Sequence, residues 1–296
     1  MNIELILQFI LAGITVGSIY AVTAIGYNIV YNATGIINFA QGEYLMLGAM
    51  SAIAFRPFMP LPLAIVLGIG VAAAAGMLFD FLFIRRVKNP SVLRLTIITI
   101  ALSIIIREAA LHIWDEKVRS LPYFSGTAIS TLNVFGAHVS LQTLWVLGGS
   151  ALMMIALSIF FKYTMTGKAM RACSANRKAA LLCGIPAGKL TTLAFVLAAA
   201  TAAFAGCLMS PMTSTQYDCG TPLAIKGFAA AVFGGLGNSG AAVAAGLIIG
   251  LLETFSVVFL PAAYKDAVSI TLLLLILFIR PSGLFGSKEA GRLKAF

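Results

Sequence analysis

The sequence predicts an all-α fold, a polytopic transmembrane helical bundle of about eight membrane segments, two of them broken or re-entrant. Three observations carry this. The 296 residues are 60% hydrophobic and 10% charged, with a mean hydropathy of +0.99, which leaves too little polar side chain to cover a soluble globule. Crossing about 30 Å of hydrocarbon takes roughly 20 mostly apolar residues, and such runs follow one another with no long polar domain between them. The net charge of +10 is gathered in connectors that flank these runs, a pattern that the preference of cytoplasmic loops for Lys and Arg explains more simply than nucleic-acid binding. The whole chain, 1–296, therefore reads as one membrane domain.

The first run, about residues 5–30, is too long for the apolar core of a secretory signal, and no basic residue precedes Arg56, so it reads as a retained helix. Further runs cover roughly 36–55, 61–84, 93–114, 140–161, 189–210, 223–260 and 264–280. The connector with Arg85, Arg86, Lys88 and Arg94, the loop 162–189 and the tail with Lys288, Arg292 and Lys294 are basic and belong in the cytoplasm. The connector Asp115 to Ser140 mixes both signs, contains a hairpin-like Val-Phe-Gly-Ala-His-Val, and is expected outside, as is Thr213 to Pro222.

The run 223–260 is overlong and is broken by Phe-Gly-Gly-Leu-Gly-Asn-Ser-Gly from Phe233 to Gly240. Either a re-entrant half-helix or two tilted spans joined at this block is expected. A comparable break lies at Tyr31 to Gly35, ahead of Asn38, Gln41, Gly42 and Glu43. Two broken helices in corresponding places of two halves point to a transporter built from repeats, with irregular backbone lining the path. Asn38, Gln41, Gly42, Glu43, Gly234, Gly235 and Gly237 are thus candidate path residues. The plainer reading has Asn38 capping the second helix, Glu43 at the cytoplasmic interface and the glycines serving close packing. Charges inside the runs are Asp80, Arg107, Glu108 and Glu253; Asp80 reads as an end residue near Arg85, the others as cross-helix partners.

The loop 162–189 carries six basic residues and no acid. Thr166 to Ala172, then Asn176, then Lys178 to Ile185 read as a short amphipathic helix with a glycine stop. Lys168 and Arg171, three residues apart, share nearly one face. Such a helix can lie in a groove of a cytoplasmic partner and pass on its movement, or it can simply set topology.

Enzyme readings fail on composition. Gly237-Asn238-Ser239-Gly240 matches a serine-protease pattern of intramembrane type, but His112 and His138 both precede the serine. Cys173, Cys183, Cys207 and Cys219 show neither disulfide nor metal spacing, and no metal site is expected. Gly184 to Leu190 is one residue short of a phosphate-binding loop and ends in leucine, so any ATPase is a separate chain.

Four blocks in order resemble the permease subunits of ATP-binding-cassette importers for branched-chain amino acids, of the type with a short N-terminus. They are Gly35 to Glu43; Gly167 to Ala172 with Asn176 and Gly184-Ile185; Gly234 to Gly237 with Gly240-Ala241; and Arg280 to Gly286. The resemblance implies the permease fold of those importers and a coupling loop at Gly167, Lys168, Arg171, Ala172, Asn176, Ala179, Ala180 and Gly184. It further implies a multi-pass protein of the bacterial-type inner membrane, not itself an enzyme and binding no cofactor, with ATP and Mg²⁺ held by the ATPases. The implied partners are a second homologous permease, two cytoplasmic ATPases and an extracytoplasmic solute-binding protein, with lipid around them and no nucleic acid. The implied substrates are branched-chain or related small apolar amino acids; relatives carrying urea, amides or aromatic acids are the alternative, an ion-coupled secondary transporter the more distant one. Two departures stand out: Lys178 occupies a place where such importers often have glutamate, and Gln41 one where histidine is commoner.

Overall fold

A computed structural model describes residues 3–88, 91–127, 129–134, 137–261, 264–280 and 283–284. The basic tail, the tip of the hairpin, and Pro281, Ser282, Phe285 and Gly286 lie outside the described residues.

Every predicted apolar run contains a helix, and the run 223–260 holds most of one and the whole of another. The helices are α1 (Ile3–Thr34), α2 (Gln41–Phe55), α3 (Leu61–Phe79, continued by a π turn Asp80–Ile84), α4 (Val92–Trp114) and α5 (Leu141–Tyr163). There follow α6 (Met165–Ala175), α7 (Arg177–Leu182), α8 (Ala187–Thr213), α9 (Gly220–Gly234), α10 (Ser239–Ser256) and α11 (Lys265–Ile279). Two short strands, β1 (Thr131–Val134) and β2 (Ala137–Ser140), pair antiparallel with Thr131 opposite Ser140, forming the hairpin the sequence suggested.

Side-chain caps fix five of the helix starts. Ser91, Ser140, Thr164, Asn176 and Asn238 each accept a backbone N–H in the first turn of α4, α5, α6, α7 and α10. Among the described residues, the helices containing 4–34, 61–84, 141–163, 187–213 and 239–256 are long and apolar enough to cross a membrane. α4 has the length but carries Arg94, Arg107 and Glu108. α2, α9 and α11 have 15 residues each, about 22 Å, short of a full span.

Ala33 at the end of α1, Met170 of α6, Ala180 of α7 and Leu190 near the start of α8 share one buried cluster, so these ends lie on the coupling-loop side. On the hairpin side, Arg119 pairs with Thr215 through two backbone hydrogen bonds, joining the two connectors expected to lie outside. α1 and α8 therefore run in opposite senses. Each is followed by six residues, 35–40 or 214–219, and then by a 15-residue helix, α2 or α9.

This matching corrects the expected repeat. The counterpart of the break at 35–40 is 214–219, where the sequence suggested only an external loop. The glycine block instead forms the turn 235–238 between α9, which is too short for a full span, and α10. Gly235 and Gly237 have φ of 102° and 98°, the left-handed region that makes this turn tight.

Candidate functional site: a coupling-helix pair and a mid-membrane helix junction

The coupling segment is two short helices rather than one, because Asn176 is extended (φ −154°, ψ 103°) and its side chain caps the next helix, its Oδ1 accepting from Ala179 N at 3.0 Å. Thr164 Oγ1 accepts from Gly167 N at 3.0 Å to begin α6. Gly184 (φ 78°) ends α7, and Ile185 N returns to the Ala180 carbonyl at 3.0 Å. This is the glycine stop the sequence predicted.

One face of the pair is docked. Met170, Cys173 and Ala180 are buried with Ile25 and Ile29 of α1, Leu157 of α5 and Ala194 of α8. Gly167 is packed so closely that a Cβ there would collide with the Phe160 carbonyl. Lys168, Arg171, Ala172, Asn176, Lys178, Ala179 and Gly184 are exposed. Beside them stand Met165, Leu181 and Leu182, exposed by 82%, 54% and 90%, an apolar surface no buried contact explains. Sequence reasoning missed the two leucines. The signal was there, since two adjacent leucines in a six-residue helix cannot both face its support. Burial pushes the Cys173 thiol above its usual range, opposed by the Arg177 charge.

A clasp fastens the frame behind this pair. Asp80 pairs with Arg85 at 3.0 Å, as expected, and Thr192 of α8 donates to Asp80 Oδ2. Arg85 also donates to the Gly188 carbonyl and to Thr192 Oγ1. The end of α3 is thereby tied to the start of α8.

The second candidate region is the meeting of α2 and α9. A Cβ at Gly42 would collide with the Gly220 carbonyl and one at Gly220 with the Gly42 carbonyl, so the two N-termini touch backbone to backbone. Thr221 Oγ1 donates to Glu43 Oε1 at 3.1 Å across the junction. Gln41 Nε2 donates at 2.9 Å to the carbonyl of Ala198, the twelfth of the 27 residues of α8, which sets the junction near the middle of that helix.

Glu43 is therefore not at an interface: it is 3% exposed, and its Oε2 has no hydrogen-bond partner. Nor does Asn38 cap α2, which begins after Ala40; its Oδ1 accepts from Ala40 N and closes the preceding turn. Glu43 feels the charges of Arg107 and Asp218. Arg107 is half-buried and Glu108 exposed, and among the described residues neither has an ion pair within 4 Å, so the cross-helix pairing expected for them is not formed; only the charge of Arg107 reaches Glu43, at longer range.

Gly234, Gly235 and Gly237 lie apart from this junction. Asn28 Oδ1 accepts from Gly237 N at 2.9 Å and Asn32 Nδ2 donates to Gly237 O at 3.0 Å, so the turn is held against α1. Leu284 N donates to the Phe233 carbonyl, laying the end of the described chain on it. Gly237 and Arg171 instead line one cavity of about 760 Å³ between α1, α5, α6 and α10, with Lys162 and Asn32.

A residue the sequence reading overlooked completes the picture. Lys226, the fourth residue of the predicted run 223–260, donates to Glu253 at 2.8 Å and pairs with Asp266 at 2.6 Å. Tyr20 and Ser269 donate to the other oxygen of Glu253, at 2.9 and 3.1 Å. This network joins α1, α9, α10 and α11. A lone lysine in an apolar run was the available signal, because such a charge needs a partner. Among the described residues no group of three or more His, Cys, Asp or Glu is arranged for a metal ion.

The family model described as branched-chain amino acid transport system / permease component matches residues 9–277. The chain is 34% identical to the high-affinity branched-chain amino acid transport system permease protein LivH of Escherichia coli, with 96% of each chain covered. It is 33% identical to the corresponding permease protein BraD of Pseudomonas aeruginosa, again over 96% of each. It is 28% identical to the probable branched-chain amino acid transport permease protein LivH of Methanocaldococcus jannaschii, covering 94% of this chain and 92% of that one.

Proposed function

The chain belongs to the family of permease components of branched-chain amino acid transport systems, and from that premise we propose that it is the membrane-spanning half of an ATP-driven importer of branched-chain or related small apolar amino acids. It works in the bacterial-type inner membrane beside a second, homologous permease. Two ATPases on the cytoplasmic face hold ATP and Mg²⁺, and a solute-binding protein delivers substrate from outside. This chain binds no cofactor and performs no covalent chemistry.

The observation that carries the reading is the α6–α7 pair, with one face buried against α1, α5 and α8 and the other presenting Lys168, Arg171, Leu181 and Leu182 to the cytoplasm. An apolar patch edged with cations, on a support that cannot slide, fits a groove on an ATPase. It transmits the movement of that ATPase into α8. The two permease chains then rock to expose the path alternately to either side.

Purification from native membranes tests this. Co-purifying ATPase subunits and ATP-dependent uptake of L-leucine by the reconstituted complex are the expected results. Ion-driven uptake by this chain alone would overturn the reading.

A further inference from the structure

The junction of α2 and α9 is built in a way that packing alone does not require. Two matched half-helices meet N-terminus to N-terminus near the middle of α8, so two positive dipole ends converge there. Polar groups at such depth are costly unless paired, and most buried polar atoms in proteins have partners. Here several do not: Glu43 Oε2, Asp218 Oδ1 and Gln41 Oε1 are buried and open, in side chains of which Gln41 is fully buried and Glu43 nearly so, whereas Asn38 faces Tyr44. Among the described residues no cation lies within 4 Å of the Glu43 or Asp218 carboxylate.

The open atoms are acceptors, and two are carboxylate oxygens, so the missing partner is a donor with positive charge. The helix ends add the opposite preference, for an anion. A free amino acid satisfies both at once, its ammonium toward the carboxylates and its carboxylate toward the helix ends. In the conformation seen, the Gly42 and Gly220 backbones touch and leave no room for such a molecule. Among the described side chains the Thr221–Glu43 hydrogen bond crosses this contact, and Tyr217 and Cys219 pack beside it against Met46 and Met50 of α2, so opening must break that hydrogen bond and part this packing.

We propose that the junction between the N-termini of α2 and α9 is the mid-membrane seat for substrate, taking the ammonium group between Glu43 and Asp218, and that the contact of Gly42 with Gly220 is its closed state. The proposal rests on the importer reading above and assigns within it the group of the substrate that the permease itself recognises.

The test uses the assembled permease and ATPase complex, with L-leucine and its amine-free analogue 4-methylpentanoate. L-leucine should raise the melting temperature of the wild-type complex and 4-methylpentanoate should not. Glu43→Gln should abolish the L-leucine response and reduce L-leucine uptake, with binding protein present, by at least about tenfold, the equivalent of one lost charged contact. Glu43→Asp, which keeps the charge, should retain part of both. Equal shifts with the two ligands, no shift with either, or a Glu43→Gln complex that keeps the wild-type response would overturn the proposal. So would a Glu43→Gln complex whose melting temperature is already lowered without ligand and which Glu43→Asp does not rescue, since that marks a structural tie alone. A wild-type complex that hydrolyses ATP but never takes up L-leucine sinks the importer reading, and this proposal with it.

Discussion

Lys226 of α9 and Glu253 of α10 form a 2.8 Å ion pair in which the carboxylate is fully buried and the ammonium nearly so. Glu253 has two further ties, to Tyr20 and Ser269, and Lys265 stands 3.4 Å away. Removing Lys226 leaves the buried Glu253 with the more distant, partly exposed Lys265 as its remaining counter-charge. Lys226→Met is therefore expected to destabilise the protein by about 3 kcal/mol, read as a fall in melting temperature in detergent. Lys226→Met combined with Glu253→Gln should recover at least half of the loss; a double variant no better than the single one would contradict this account.

The glycines divide into crowded and open ones, and the division predicts opposite outcomes. Gly42→Val forces a side chain into the Gly220 carbonyl and Ala224, and should cost about 1–3 kcal/mol by overpacking. Gly70→Ala in α3 and Gly148→Ala in α5 meet nothing within 4 Å and should gain up to about 1 kcal/mol from helix propensity. Thermal unfolding of the three variants side by side checks the ranking.

The coupling helices depend on their caps. Thr164→Ala removes the acceptor for Gly167 N and Asn176→Ala the one for Ala179 N, each worth about 1 kcal/mol of local helix stability. Hydrogen exchange should show faster opening confined to α6 or α7 respectively. Arg171→Glu leaves the fold untouched because Arg171 is exposed, but should weaken association with the ATPase by roughly tenfold, the ~1.4 kcal/mol of one contact.

Cysteine labelling distinguishes the faces. Cys183 is exposed and Cys173 buried. The Cys173 thiol, held above its usual pKa, is less ionised at any given pH and so alkylates more slowly. A membrane-impermeant maleimide should label Cys183 quickly from the cytoplasmic side and not at all from outside, with Cys173 and Cys207 protected. Rapid labelling of Cys183 from outside would invert the assigned topology.

Hydropathy made the helices legible and Gly184 marked the end of α7, because both are properties of neighbours along the chain; the caps at Ser91, Ser140, Thr164, Asn176 and Asn238 are equally local but were not read. The boundary between α9 and α10 was visible for the same reason, Gly234 to Gly240 being a strong local breaker. The repeat was misplaced because the glycine block is the louder signal. The break that matters, 214–219, reads as an ordinary polar loop, and only the contact of Gly220 with Gly42, 178 residues away, shows that it reaches into the bundle. Glu43 was singled out on composition, but its burial and its partner Thr221 depend on helix packing that no local pattern encodes. Lys226 is the same case: its partner lies 27 residues on and on another helix.

The clasp of Asp80, Arg85 and Thr192 has a mechanical consequence. A joint transmits force only where it has no play, and here the π turn ending α3 is bolted to α8 one turn beyond the point at which α7 hands over to it. A tug on α7 thus moves the inner ends of α3 and α8 as one piece. In the importer proposed above, the first-half and second-half repeats would then be driven by a single stroke rather than one after the other.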